Sequence, residues 1–242
     1  MRIAWLVVRV LVLQSAICAA AALPPLLAAT ITMRLVPPTP FFRAFAMAVL
    51  AAPAYVAFAI LLMAVSGVAC RLLRLRTPRD LDMRIDELGG PLLRWVEYIA
   101  ALHVVRFFAG GLLRGSPVWT AYLRLAGARI GRRVYVNSLS LSDYNLLELG
   151  DDVVIGADAH VAGHTVERGV VKTGGVRLGR GVVVGIDSII EIGVEAGDGC
   201  QIGALSFVPK YAKLASNSVY GGIPVRLLSH DQQARVPQRQ PG

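Results

Sequence analysis

Apolar and polar positions along this chain follow three patterns, each with its own spacing. Val10–Met33 is a run of 24 residues without a charge, and Ala44–Ala69 is a run of 26. Each exceeds the roughly 20 apolar residues that a helix needs to cross a bilayer core. Trp95, Tyr98, Leu102, Val105 and Phe108 then recur at helical spacing, which predicts an amphipathic helix over 92–113. From Leu178 onward every sixth residue is aliphatic or small: Leu178, Val184, Ile190, Ala196, Ile202, Val208, Leu214. Four residues after each of the first six sits Val, Ser, Cys or Ala. Such a period fits neither a helix nor an ordinary sheet strand. It predicts a mainly β architecture, a parallel β-helix of hexapeptide repeats. Three sides make one coil, each side sends one aliphatic residue inward, and coils stack at about 4.8 Å.

The same phase runs earlier with two interruptions. Ile130 and Val136 are in step, as are Leu149, Ile155 and Val161. Val136 and Leu149 lie thirteen positions apart, so one residue is inserted. Val161 and Leu178 lie seventeen apart, across Ala162-Gly-His-Thr-Val-Glu-Arg-Gly169. Repeat proteins place insertions on one face, often the binding face, so the second interruption is where chemistry is sought. Ser116-Pro117 starts a short helix through Leu125 that Gly127 stops. Residues 77–90 are polar and read as a linker. The expected organisation is a two-helix transmembrane hairpin over 1–76, a linker with amphipathic or interfacial helices over 77–129, the β-helix over 130–228, and a disordered Gln-, Arg- and Pro-rich tail over 229–242.

Composition fits a membrane protein: 55% of residues are hydrophobic and the mean hydropathy is +0.57. Pro24, Pro25 and Pro53 fall inside the long apolar runs, which spanning helices tolerate. Arg2 and Arg9 followed by Ala19–Ala22 also fit a cleavable signal peptide, but the second apolar run favours a helical hairpin. Arg2 and Arg9 precede the first run, and Arg71, Arg74, Arg76, Arg79 and Arg84 follow the second; the connection holds only Arg34 and Arg43. The positive-inside rule then places the N-terminus and the β-helix in the cytoplasm, on a multi-pass protein of the inner (plasma) membrane. The net charge of +9 is read as a belt facing anionic lipid. No aromatic-and-basic groove points to nucleic acid. Cys18, Cys70 and Cys200 form no CxxC pair, which suits a reducing compartment. The helix over 92–113 lies either on the membrane or against the first coils.

The C-terminal half resembles the hexapeptide-repeat acyltransferases, whose coil is a left-handed parallel β-helix. Val208-Pro-Lys, followed by a turn and Gly222-Ile-Pro-Val-Arg226, is similar to that family's closing segment. Over 80–228 the likeness is closer to the membrane-linked C-terminal domain of poly-lysine-synthetase-type non-ribosomal peptide synthetases. It is carried by Gly115-Ser-Pro, Tyr122-Leu-Arg-Leu-Ala-Gly-Ala-Arg-Ile-Gly131, Ser138-Leu-Ser-Leu-Ser-Asp143 and Gly163-His-Thr-Val-Glu167.

The resemblance implies an acyl or aminoacyl transferase using a coenzyme A or carrier-protein phosphopantetheine thioester as donor substrate, with no permanently bound cofactor. It implies a homotrimer, with membrane lipid and possible carrier-protein or peptide-synthetase partners. His164 matches the family's general base, and imidazole titrates near working pH. Gly163 allows a tight exit from the coil, and Glu167 would orient the second ring nitrogen. Asp143 is either an acceptor-binding carboxylate or a turn residue shaping the insertion. His160 is a second acceptor-side candidate or a plain coil-surface histidine. Gly185, Ala204 and Ser206 match donor-contacting positions, with Lys210 or Lys213 for phosphate. Val183 stands where many relatives carry Trp against the cofactor, which keeps carrier-protein pantetheine beside coenzyme A. Two readings compete. Zinc carbonic anhydrases share the coil but need three histidines, and only His160 and His164 lie in it, so no metal is expected. A non-catalytic scaffold or accessory subunit of a peptide synthetase is the alternative.

Overall fold

The computed structural model describes residues 2–230; most of the expected disordered tail lies outside them. The chain divides into two compact units. The first comprises residues 1–76 and 90–113. Helices α1 (Arg2–Arg34) and α2 (Pro40–Leu72) run through the proline-bearing apolar runs. At 1.5 Å per residue, 33 residues reach about 50 Å, well beyond a bilayer core. Helix α3 (Gly90–Val105) continues through a π-turn, Arg106–Gly110, to Leu113. Among the described residues three helices are thus long and apolar enough to cross a membrane, where the apolar runs alone marked two.

Helix α3 packs on the hairpin. Tyr98, Ala101, Leu102 and Val105 are buried. Gln14 donates to the Ala100 carbonyl at 3.1 Å and Ser66 to that of Ala101 at 2.9 Å. Buried Glu97 pairs with Arg9. The opposite side keeps Phe107 and Leu112 exposed.

The second unit holds residues 77–89 and the chain from Arg114 onward. Its centre is a three-sided stack of short parallel strands. One side joins Arg129–Ile130, Leu147–Leu149, Val176–Leu178, Glu195–Ala196 and Lys213–Leu214. The next joins Tyr135–Val136, Val154–Ile155, Val183–Val184, Gln201–Ile202 and Ser218–Gly221. The third joins His160–Val161, Ile189–Ile190 and Phe207–Val208. Registers Val184↔Ile202, Ile190↔Val208 and Ala196↔Leu214 are 18 residues apart, one coil. All seven sixth-position residues from Leu178 to Leu214 are buried, as are Val182, Ser188, Val194, Cys200 and Ser206 at the following corners.

Both ends of the stack are closed. Helix Pro117–Leu125 covers the first coils with Trp119, Tyr122 and Leu123, and Ser116 caps it by accepting from the Trp119 amide at 3.2 Å. At the other end Arg226–His230 folds back antiparallel on Ser218–Gly221, so Ser229 and His230, read as tail, close the sheet instead.

Two expectations are corrected. The seventeen-position interruption is a β-hairpin, His164–Glu167 against Val170–Thr173. Its turn residues Arg168 and Gly169 both have positive φ, as a two-residue hairpin turn requires. The supposed linker is its third strand: Asp82–Arg84 pairs antiparallel with Val170–Lys172. Met83 buries an apolar side chain in that sheet, and the Thr173 hydroxyl exchanges hydrogen bonds with the Leu81 backbone at 3.0 and 3.1 Å.

Ile190 is wholly buried between Val161 and Val208 of adjacent coils. Ile190→Ala should cost about 2–5 kcal/mol, read as a lower unfolding midpoint of the detergent-purified protein.

Candidate active site

The two interruptions of the repeat meet in space. Asp143 sits at the one-residue insertion with φ +50°, just before the turn Tyr144–Leu146. A left-handed backbone is tolerated by Asp better than by most residues. It lets the side chain leave the strand direction without breaking the coil. His164 opens the hairpin. Its Nδ1 lies 2.5 Å from Asp143 Oδ2. The carboxylate is fully buried, and the imidazole remains 25% exposed.

Gly163 is what allows the approach. Its backbone does not need a positive φ; space is the constraint. A Cβ there would lie 2.5 Å from Asp143 Cβ and 3.1 Å from Cγ. The Gly163 amide donates to the Ser142 hydroxyl at 3.0 Å, tying the two insertions together.

Burial opposes ionisation of Asp143. The hydrogen bond and charge of His164, with the Thr77 and Ser142 hydroxyls, outweigh burial and hold the carboxyl below the usual carboxylate range. An ionised carboxylate only accepts, so the proton between the two groups belongs to Nδ1. In the neutral ring, protonation on Nδ1 leaves the lone pair on Nε2.

Several site expectations change. Glu167 does not orient His164: it is three residues along a strand, on the opposite face, and it pairs with Lys210 and with Lys172 at 3.4 Å. Asp143, expected at the acceptor, is wholly buried and bonded to His164 and Thr77. Lys210, expected at phosphate, is held by Glu167. Ser206 is buried; its hydroxyl donates to the Ala204 carbonyl and accepts from the Gly222 amide. Gly185 abuts the Ala204 backbone of the next coil, with no room for a Cβ. Ala204 and Lys213 are exposed. His160 is exposed on its strand, beside Ile189 of the neighbouring coil. Thr77 was missed by the sequence reading, for it lies 66 positions from its partner and in a stretch read as linker.

No family model matches the chain. Among curated proteins, a Delta-poly-L-ornithine synthetase of Acinetobacter baumannii is 30% identical over 112 residues, 46% of this chain and 8% of that protein. Galactoside O-acetyltransferase of Escherichia coli K12 is 32% identical over 120 residues, 46% of this chain and 57% of that protein. The chain is a relative of hexapeptide-repeat acyltransferases. It spans little more than half of the second relative and a small part of the first. Among solved structures, a hexapeptide-repeat acetyltransferase of Vibrio cholerae complexed with acetyl coenzyme A is 21% identical, covers 44% of this chain and 62% of its own, and has a TM-score of 0.41.

Two outcomes are expected of this geometry. Gly163→Ala should separate Asp143 from His164, seen as loss of the low-field Nδ1–H signal of His164 in proton NMR. The depressed Asp143 value contributes stability that is complete above the unfolded carboxyl value of about 3.9 and is lost as pH falls through the folded value. The difference in Tm between wild type and Asp143→Asn should therefore be full above about pH 5 and shrink below about pH 4.

Proposed function

We propose that the protein is a membrane-anchored acyl or aminoacyl transferase with His164 as general base and Asp143 as the residue that orients it. The supporting observation is the His164–Asp143 pair, built where the repeat is interrupted, in a chain related to acyltransferases. Nε2 takes the proton from an acceptor hydroxyl or amine as its lone pair attacks a thioester carbonyl. The tetrahedral centre collapses, the C–S bond breaks, and the thiolate leaves with the proton held on Nε2. The donor is a coenzyme A or carrier-protein pantetheine thioester. One relative's name specifies a sugar hydroxyl and the other's a poly-amino-acid, so both acceptor chemistries belong in the assay.

We infer a left-handed coil, as the hexapeptide resemblance implies, and a homotrimer built on the apolar sides. One side carries an outward ladder of alternating charge: Arg129, Glu148, Arg177, Glu195, Lys213. The other two expose Val183 and Ile189, with Ile186, Leu205 and Ile223 at their shared corner. The charged side suits water, and the apolar corner suits other copies.

The membrane reading follows from connectivity. Residues 77–89 and the chain from Arg114 belong to one folded unit, so both ends of α3 are on one side of the bilayer. A single helix joining them makes no net crossing. We therefore assign α1 and α2 as the two spans and α3 as a helix packed along the hairpin that makes no net crossing, with Phe107 and Leu112 exposed. The arginine distribution supports a cytoplasmic coil.

The deciding assay offers the full-length protein in detergent a set of acyl-coenzyme A donors with amine and hydroxyl acceptors, products being read by mass spectrometry. His164→Ala should lower turnover about 10²–10⁴-fold and leave thermal stabilisation by coenzyme A intact. Equal turnover by the variant would sink the assignment. Absence of turnover with every donor, together with co-purification of a large synthetase, would instead establish the accessory-subunit role. For topology, Thr39→Cys should react with an impermeant maleimide on intact cells, and Glu87→Cys and Asp198→Cys only after permeabilisation. Labelling of Glu87→Cys from outside would overturn it.

A further inference from the structure

We propose that Thr77 is a positioning residue for the His164–Asp143 pair, contributed by the segment that follows the second membrane helix rather than by the repeat. The reading rests on His164 acting as the base, but the placement of the hydroxyl can be tested without turnover.

The Thr77 hydroxyl donates to Asp143 Oδ1 at 2.5 Å. The other oxygen, Oδ2, faces His164 Nδ1. The carboxylate is therefore gripped from both sides, and its rotation about the Cβ–Cγ bond is fixed. Thr77 is itself pinned: its amide donates to Asn145 Oδ1 at 3.1 Å, and its carbonyl accepts from Asn145 Nδ2 at 2.8 Å. Thr77 is 1% exposed, so water cannot replace the hydroxyl. Four residues on, the same segment joins the hairpin that carries His164, through Leu81 with Thr173 and the strand Asp82–Arg84. One stretch of chain thus holds both members of the pair.

A buried carboxylate with one oxygen unsatisfied would turn to find a donor. Without the Thr77 hydroxyl, the Asp143 carboxylate loses one of the bonds that fix its rotation, and His164 loses its fixed tautomer. Thr77→Val replaces the hydroxyl by a methyl group, Thr77→Ala removes the hydroxyl with the γ-methyl, and both keep the backbone bonds to Asn145. Thr77→Ser keeps the hydroxyl.

The test is NMR of the full-length protein in detergent, labelled with ¹⁵N-histidine, the His164 signals being assigned by their loss in His164→Ala. Wild type and Thr77→Ser should show one tautomer, protonated on Nδ1, with a low-field Nδ1–H signal. Thr77→Val and Thr77→Ala should show a tautomer mixture and a weakened Nδ1–H signal, with unfolding midpoints that still show a folded protein. Where turnover is measurable, kcat should fall roughly tenfold, as expected for a lost hydrogen bond to a charge, with KM for the donor unchanged and Thr77→Ser restoring the rate. A wild-type tautomer and Nδ1–H signal in either hydroxyl-free variant would overturn the proposal. A protein that shows the expected NMR change but transfers no acyl group would keep the positioning role and reject the catalytic reading.

Discussion

The rest of the coil unit depends on the backbone ladder between coils. Each short strand bonds to strands one coil before and one coil after, so every coil must have the same length wherever it carries strands. Side chains alternate in and out along a strand, and a slip of one residue would drive the inward aliphatic row into water. Extra residues can therefore leave only at corners. The single insertion puts Asp143 into a left-handed turn, and the larger one leaves as a hairpin. Both insertions emerge at the corner after the third side, where Leu141 bridges to Val161. This common exit brings Asp143 and His164 together.

A buried carboxylate is costly unless its oxygens are bonded. Asp143 meets that condition with an imidazole on one oxygen and a hydroxyl on the other, and Gly163 removes the side chain that would block the approach. The imidazole remains a quarter exposed. Such an arrangement fixes the direction of the imidazole against a buried carboxylate.

Connectivity links this pair to the apolar helices. Thr77 follows the end of α2 by five residues, and the strand Asp82–Arg84 lies between Thr77 and α3. The same segment that completes the hairpin sheet thus joins the two stretches of the helical unit.

The sequence by itself determined whatever depends on local spacing. The six-residue period from Leu178 to Leu214 specified the coil, its inward row and its small corner residues. The uncharged runs marked the hairpin helices, and Ser116-Pro117 with Gly127 marked the capping helix. Two breaks in the period marked the stretches that bring Asp143 and His164 together, and the family motif picked out His164. Tertiary structure decided the partnerships. Glu167 is near His164 in sequence but faces away because a strand alternates; Asp143 is 21 positions away and faces it. Thr77 is farther still, in polar residues with no periodic signal, and only the pairing of Asp82–Arg84 with the hairpin brings it to the carboxylate. A repeat period records which residues point inward. It carries no information about which insertion meets which, because that is settled by backbone pairing between segments distant along the chain.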